Sequence, residues 1–128
     1  MTLWKLFRYL LSLFAGIVLG SMVNMGIILL GLQINPMPDG IDVMNVEAYN
    51  KMAHLLKFHH YMTPFFAHAI GTLIGAFIAA KISQDRKLIV ALLIGVLFMI
   101  GGIMEVQSRV TPTWFAILDI GIAYIPMA

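Results

Sequence analysis

The stretch LIVALLIGVLFMIGGIM, residues 88–104, runs seventeen residues without a charge and then meets Glu105, and WFAILDIGIAYIPMA, residues 114–128, encloses Asp119. Both stretches read as membrane-spanning helix with a carboxylate inside or at the edge. A carboxylate in hydrocarbon costs about 2.5 to 3.5 kcal/mol even on an insertion scale, so it stays only where a partner, water or a function holds it. The chain therefore points to a buried polar site, and the rest of the sequence can be searched for its other members.

Composition sets the class. Of the 128 residues 61% are hydrophobic and 11% charged, with mean hydropathy +0.94. An average soluble domain has about a quarter of its residues charged. This is the composition of a single-domain integral membrane protein with the lipid bilayer as its first partner. The net charge of +2 and the pI near 9.1 come from basic residues that flank apolar runs. That is membrane anchoring, with no nucleic-acid partner expected. The absence of cysteine excludes disulfides and thiolate metal sites.

Four apolar runs suggest four helices at about 4–33, 61–81, 88–108 and 113–128, with an outer loop over 34–60. The expected fold is all-α, a four-transmembrane-helix antiparallel bundle with a short amphipathic outer helix between helices 1 and 2. About 20 residues at 1.5 Å each span a hydrocarbon layer of about 30 Å. The first three runs meet that length and the fourth, ending at Ala128, is short. Lys5 and Arg8 before an apolar run also open a signal peptide, but the run is about twice a usual signal core and lacks a small-x-small cleavage pattern before Pro36, so it is expected to remain as helix 1.

Lys5, Arg8, Lys81, Arg86 and Lys87 fall on one side of the runs, and Lys51, Lys57 and Arg109 on the other. The positive-inside rule then puts both termini in the cytoplasm, in a bacterial-type inner membrane. The outer segment opens with turn chemistry at Asn35-Pro36-Met37-Pro38-Asp39-Gly40. Asn45 is placed to cap a short helix with Val46, Tyr49, Met52, Ala53 and Leu56 on one face. His59 and His60 are expected to be solvated at the interface.

Small residues mark the packing faces. Ala67, Gly71, Gly75 and Ala79 follow one another every fourth residue, and Gly16 and Gly20 have the same spacing, which lets backbones approach closely. At 100° per residue the strong polar groups share these faces: Asn24 with Gly20 and Gly31, His68 with Thr72 and Gly75, Glu105 with Gly101 and Gly102, Asp119 with Ala116 and Ala123. All four also lie in the outer half of their runs.

The candidate site is His68, Glu105 and Asp119, supported by Asn24, with Arg109 near its mouth and Thr72, Ser21 and Tyr124 as secondary members. Imidazole plus two carboxylates can bind a divalent metal such as Zn, Mn or Fe, and the same set can build a proton relay. Each residue also has a plain structural role open to it. Asn24 can be a helix-helix hydrogen bond, Glu105 can pair with Arg109 at i,i+4, and His68 with Asp119 can be one ion pair that locks two helices. No H-x-x-x-H, H-E-x-x-H, G-x-S-x-G or phosphate loop is present.

Three functions fit these residues. The first is proton- or cation-coupled transport through an ion-binding His/Glu/Asp site. The second is an intramembrane metal- or acid/base-dependent enzyme acting on a lipid-like substrate. The third is a membrane scaffold or assembly protein in which the polar groups only specify packing. So small a bundle is expected to pair into a homo-oligomer.

Overall fold

The computed structural model describes residues 2–128, of which most are helical: 79% of the chain is helix and no strand occurs among the described residues. The elements are α1 (Leu3–Ile34), α2 (Val46–Met52) continued by a 3-10 turn (Ala53–Leu55), α3 (Phe58–Ser83), α4 (Lys87–Ser108) and α5 (Thr113–Ile122). Three of them, α1, α3 and α4, are long and apolar enough to cross a membrane.

Local chemistry explains the boundaries. The Thr2 hydroxyl accepts from Lys5 N at 3.3 Å and starts α1. Asn35, followed by Pro36, ends it, because the residue before proline is pushed out of helical geometry. The Asn45 side chain accepts from Ala48 N at 3.1 Å and starts α2, as its position in the sequence suggests. Lys57 N donates to His60 Nδ1 at 2.8 Å and closes the first turn of α3, three residues earlier than expected from the apolar run. His60 is 7% exposed, so the expectation that it is solvated does not hold; its ring is used to satisfy a helix-end donor.

The seam between α1 and α3 organises the molecule. A Cβ added to Gly16 would stand 2.7 Å from Gly75 O, and one on Gly20 2.8 Å from Gly71 O. Low numbers in α1 meet high numbers in α3, so these two helices run antiparallel. On the same glycine face of α1, a Cβ on Gly16 would also lie 2.9 Å from Ile94 Cδ1, and one on Gly20 2.8 Å from the Phe98 ring. Helix α4 therefore runs parallel to α1. Ala76, Ala79, Val90, Ala91 and Ile94 form the core between α3 and α4, with Tyr9, Leu13 and Phe98 packed on it. In a bilayer such contacts are worth dispersion and backbone proximity, since lipid is as apolar as leucine.

At the α3–α4 turn, Gln84 and Arg86 both have positive φ, 61° and 52°, which side chains other than glycine rarely adopt. Arg8 holds this turn, donating from Nη1 to Gln84 Oε1 and from Nη2 to Ile82 O, each at 2.9 Å. Lys5 adds an ion pair to Asp85 at 3.4 Å.

The fourth run departs from expectation. Its helix stops at Ile122, ten residues long, and the chain continues in turns to Ala128. Gly121 weakens the helix and Pro126 has no N–H to extend it, while Ile125 before it is steered away from helical geometry. At 1.5 Å per residue α5 covers about 15 Å, half a hydrocarbon layer. The turns after it pack along α4, with Tyr124 over Gly102 and Ala128 beside Gly95.

Candidate functional site

Two aromatic clusters carry α5 onto α3. Phe58 stacks on Trp114 at 5.1 Å between centroids, and Tyr61 packs against Phe115 at 5.1 Å. Two turns along from Tyr61, α3 presents His68, and one turn along from Phe115, α5 presents Asp119. They meet: His68 Nδ1 lies 2.9 Å from both Asp119 Oδ1 and Oδ2. Tyr124 joins them, its hydroxyl donating to Asp119 Oδ2 at 3.2 Å and its ring stacked on His68 at 5.6 Å. Gly102 makes room for this ring, since any side chain there would occupy the Tyr124 phenol.

Asp119 is 1% exposed, so this carboxylate is held by its partners and not by water. The imidazole meets the carboxylate through Nδ1, which leaves Nε2 for another partner. Among the described residues Nε2 has no hydrogen-bond partner. A carboxylate that fixes the imidazole tautomer and leaves the far nitrogen free is how proteins present a base or proton acceptor to a ligand.

The free nitrogen belongs to a residue on the wall of a cavity of about 300 Å³. Asn24, Glu105, Arg109 and Asp119 line the same cavity, as do Tyr49, His60, Tyr61 and Pro64. Asn24 lies against Gly71, where a Cβ would be 3.0 Å from Asn24 Cβ, which puts it within one turn of His68. Its Oδ1 is buried without a hydrogen-bond partner, as is the hydroxyl of Thr72 one turn deeper on α3.

Other expected members are placed differently. Glu105 is exposed, and Arg109 Nε lies 2.6 Å from its Oε2. The pair stands at the cavity's edge and separates Glu105 from the His68–Asp119 contact. Among the described residues no three His, Asp or Glu side chains converge as a metal would require, so the His68, Glu105, Asp119 ligand set is not assembled here. The reason is the i,i+4 arginine, a nearer partner for Glu105 than the imidazole on another helix. Ser21 is exposed on the outside of α1 and does not line the cavity. Its neighbour Gly20 takes the seam, which turns Ser21 away.

The segment between α1 and α3 contributes several residues to the cavity wall. Met37, Val43 and Met44 supply apolar wall, and Tyr49 closes the top beneath the Arg109 guanidinium, 4.9 Å above its ring. Burial, with the Tyr61 phenol beside it, pushes the Tyr49 hydroxyl up to about 12, so the ring stays neutral under Arg109. The local signals for this wall are the Asn45 cap with the face that carries Tyr49, and Pro64 inside α3, which removes one helical backbone donor.

A second cavity, about 450 Å³, lies at the opposite end among Trp4, Lys5, Arg8, Gln84, Asp85 and Arg86. Arg8 and Lys5 are spent there on holding the α3–α4 turn. The cavity lined by His68 and Asp119 is therefore the candidate site. No family model, curated protein or solved structure matches the chain.

Proposed function

We propose that this chain is a small polytopic membrane protein in which His68, oriented by Asp119, exchanges a proton with a ligand or ion admitted to the cavity from the outer side, as the proton-handling step of coupled transport. The observation that carries the reading is the pairing of a buried, doubly hydrogen-bonded Asp119 with an imidazole whose second nitrogen is unpartnered on a cavity wall. A scaffold would have no need of the free nitrogen.

In this reading α1, α3 and α4 cross the bilayer, and α5 with its following turns is a shorter fourth element that packs antiparallel to α4. Helix α2 lies on the outer surface as a roof. Both termini are cytoplasmic, following the bias of five basic residues to three across the two sides. The outward apolar faces meet lipid or a second copy of the chain.

Proteoliposomes loaded with a pH-sensitive dye test the proposal. Under an imposed membrane potential, wild type is expected to pass protons alone or with an added cation, and His68→Gln and Asp119→Asn to pass none while eluting as folded protein. Flux that is absent in wild type, or undiminished in both variants, refutes transport.

A second reading is favoured by one observation. On the cytoplasmic side of His68 the seam is shut by Gly20 against Gly71 and Phe98, and by Gly16 against Gly75 and Ile94. A cavity reached from one side suits acid/base chemistry on a lipid-like substrate, with His68 Nε2 as base. Incubation with a membrane lipid extract, followed by mass spectrometry, would show a product that His68→Gln does not form.

A further inference from the structure

The outer cavity holds hydrogen-bond acceptors that the protein leaves unfilled. Asn24 Oδ1 is buried and has no partner, and His68 Nε2 has none among the described residues. The carboxylate of Asp119 is engaged by His68 and Tyr124, and the one guanidinium on the wall, Arg109, is engaged by Glu105 and stands over Tyr49. The fixed charges on the wall are two carboxylates and one guanidinium, a formal charge of −1 before the imidazoles are counted. Free acceptors and surplus negative charge call for a ligand with N–H donors and a positive charge.

The other wall is apolar. Met25, Ile28 and Leu32 lie along α1 at helical spacing just outward of Asn24, faced by Met37 and Met44. Met25 and Met44 are 40% and 70% exposed, so this wall continues into the outer surface of the protein. A volume of about 300 Å³ takes a small head and the first carbons of a chain, with the remainder leaving along the methionines.

We propose that the cavity binds an amphiphilic primary amine, its ammonium head donating to Asn24 Oδ1 and His68 Nε2 and its alkyl chain lying against Met25, Ile28 and Leu32. This rests on the reading of the cavity as a binding site. It goes further by naming the ligand's charge and shape, and by giving Asn24 a role as a binding residue.

The test uses the full chain in lipid nanodiscs and three probes of equal length, hexylamine, hexanol and hexanoate, with binding followed by isothermal titration. Hexylamine is expected to bind saturably and hexanoate not at all. Asn24→Leu should weaken hexylamine about tenfold or more, the loss of one hydrogen bond to a charged group, with little change for hexanol. Ile28→Trp, which fills the apolar wall and leaves the polar groups in place, should abolish binding of the amine even where Asn24→Leu folds poorly. Preference for hexanoate or hexanol, or hexylamine binding indifferent to Asn24→Leu and Ile28→Trp, overturns the amine assignment alone. Binding of no probe overturns the binding-site reading itself. Nanodiscs with and without an ethanolamine lipid separate the sources of the amine: competition identifies a lipid head, and its lack a free amine.

Discussion

Asn50 clasps Val110 across sixty residues of sequence, its Oδ1 accepting from Val110 N at 2.8 Å while its Nδ2 donates to Ser108 O at 3.1 Å. A single carboxamide thus fastens α2 to the turn between α4 and α5, and with the Tyr49–Arg109 contact it holds α2 against the cavity that Tyr49 and His68 line. Two backbone groups at the C-terminal end of α4, the Ser108 carbonyl and the Val110 N–H, gain partners in the process.

Asn50→Ala removes both bonds at an exposed site, where each is worth about 0.5 to 1.5 kcal/mol. The roof should loosen while the rest of the protein stays intact. Hydrogen exchange over 46–52 and 108–111 is expected to rise, with no change along α1. Uniform exchange in variant and wild type would show that other contacts hold α2.

His68→Ala strands a carboxylate that is 1% exposed, leaving only Tyr124 as its partner. The expected loss is about 3 to 5 kcal/mol, the usual cost of breaking a buried charged pair from one side. Adding Asp119→Leu to His68→Ala should recover part of that loss, because the double variant buries no charge. Additive losses in this double-mutant cycle would mean that the two residues do not interact energetically.

Gly71→Ala and Gly75→Ala each place a methyl group under 3 Å from a backbone oxygen of α1, Gly20 O and Gly16 O respectively. Backbone has little room to yield, so both variants should lose at least the 1 to 3 kcal/mol typical of overpacking, about as much as a core defect. Phe77→Leu, on a side chain 62% exposed, is the matched control and should cost little. Equal thermal stability of the three variants would place the α1–α3 seam elsewhere.

Topology is checked by cysteines at Glu47, on α2, and Lys87, the first residue of α4, both exposed. In inverted and right-side-out vesicles they should react with an impermeant thiol reagent from opposite sides, Lys87→Cys from the cytoplasm. Labelling of Lys87→Cys from outside would reverse the orientation.

Tyr124→Phe keeps the ring over Gly102 and removes one of the two groups that bond Asp119. Fold and expression should persist, with a stability loss of about 1 kcal/mol. A measured loss near that of His68→Ala would show that the phenol, and not the imidazole, is the main support of the carboxylate.

The sequence by itself determined an all-helical chain with three helices long and apolar enough to cross a membrane, because the cost of exposing backbone and charge to hydrocarbon depends on residue type and run length alone. It also determined the inward faces of α1 and α3: Gly16 and Gly20, and Ala67 through Ala79, allow close approach wherever they occur in register. His68, Asp119 and Asn24 were legible as candidates, since polar groups in apolar helices need partners. Which partner each one found was a tertiary decision. Glu105 had Arg109 one turn away and took it, while His68 and Asp119, 51 residues apart, met only because the Tyr61–Phe115 packing sets α5 beside α3. The end of α5 at Ile122, the turn that brings Tyr124 over Gly102, and the clasp of Asn50 on Val110 depend on distances between segments remote in sequence. No periodicity encodes such distances, so these features came from the packed structure.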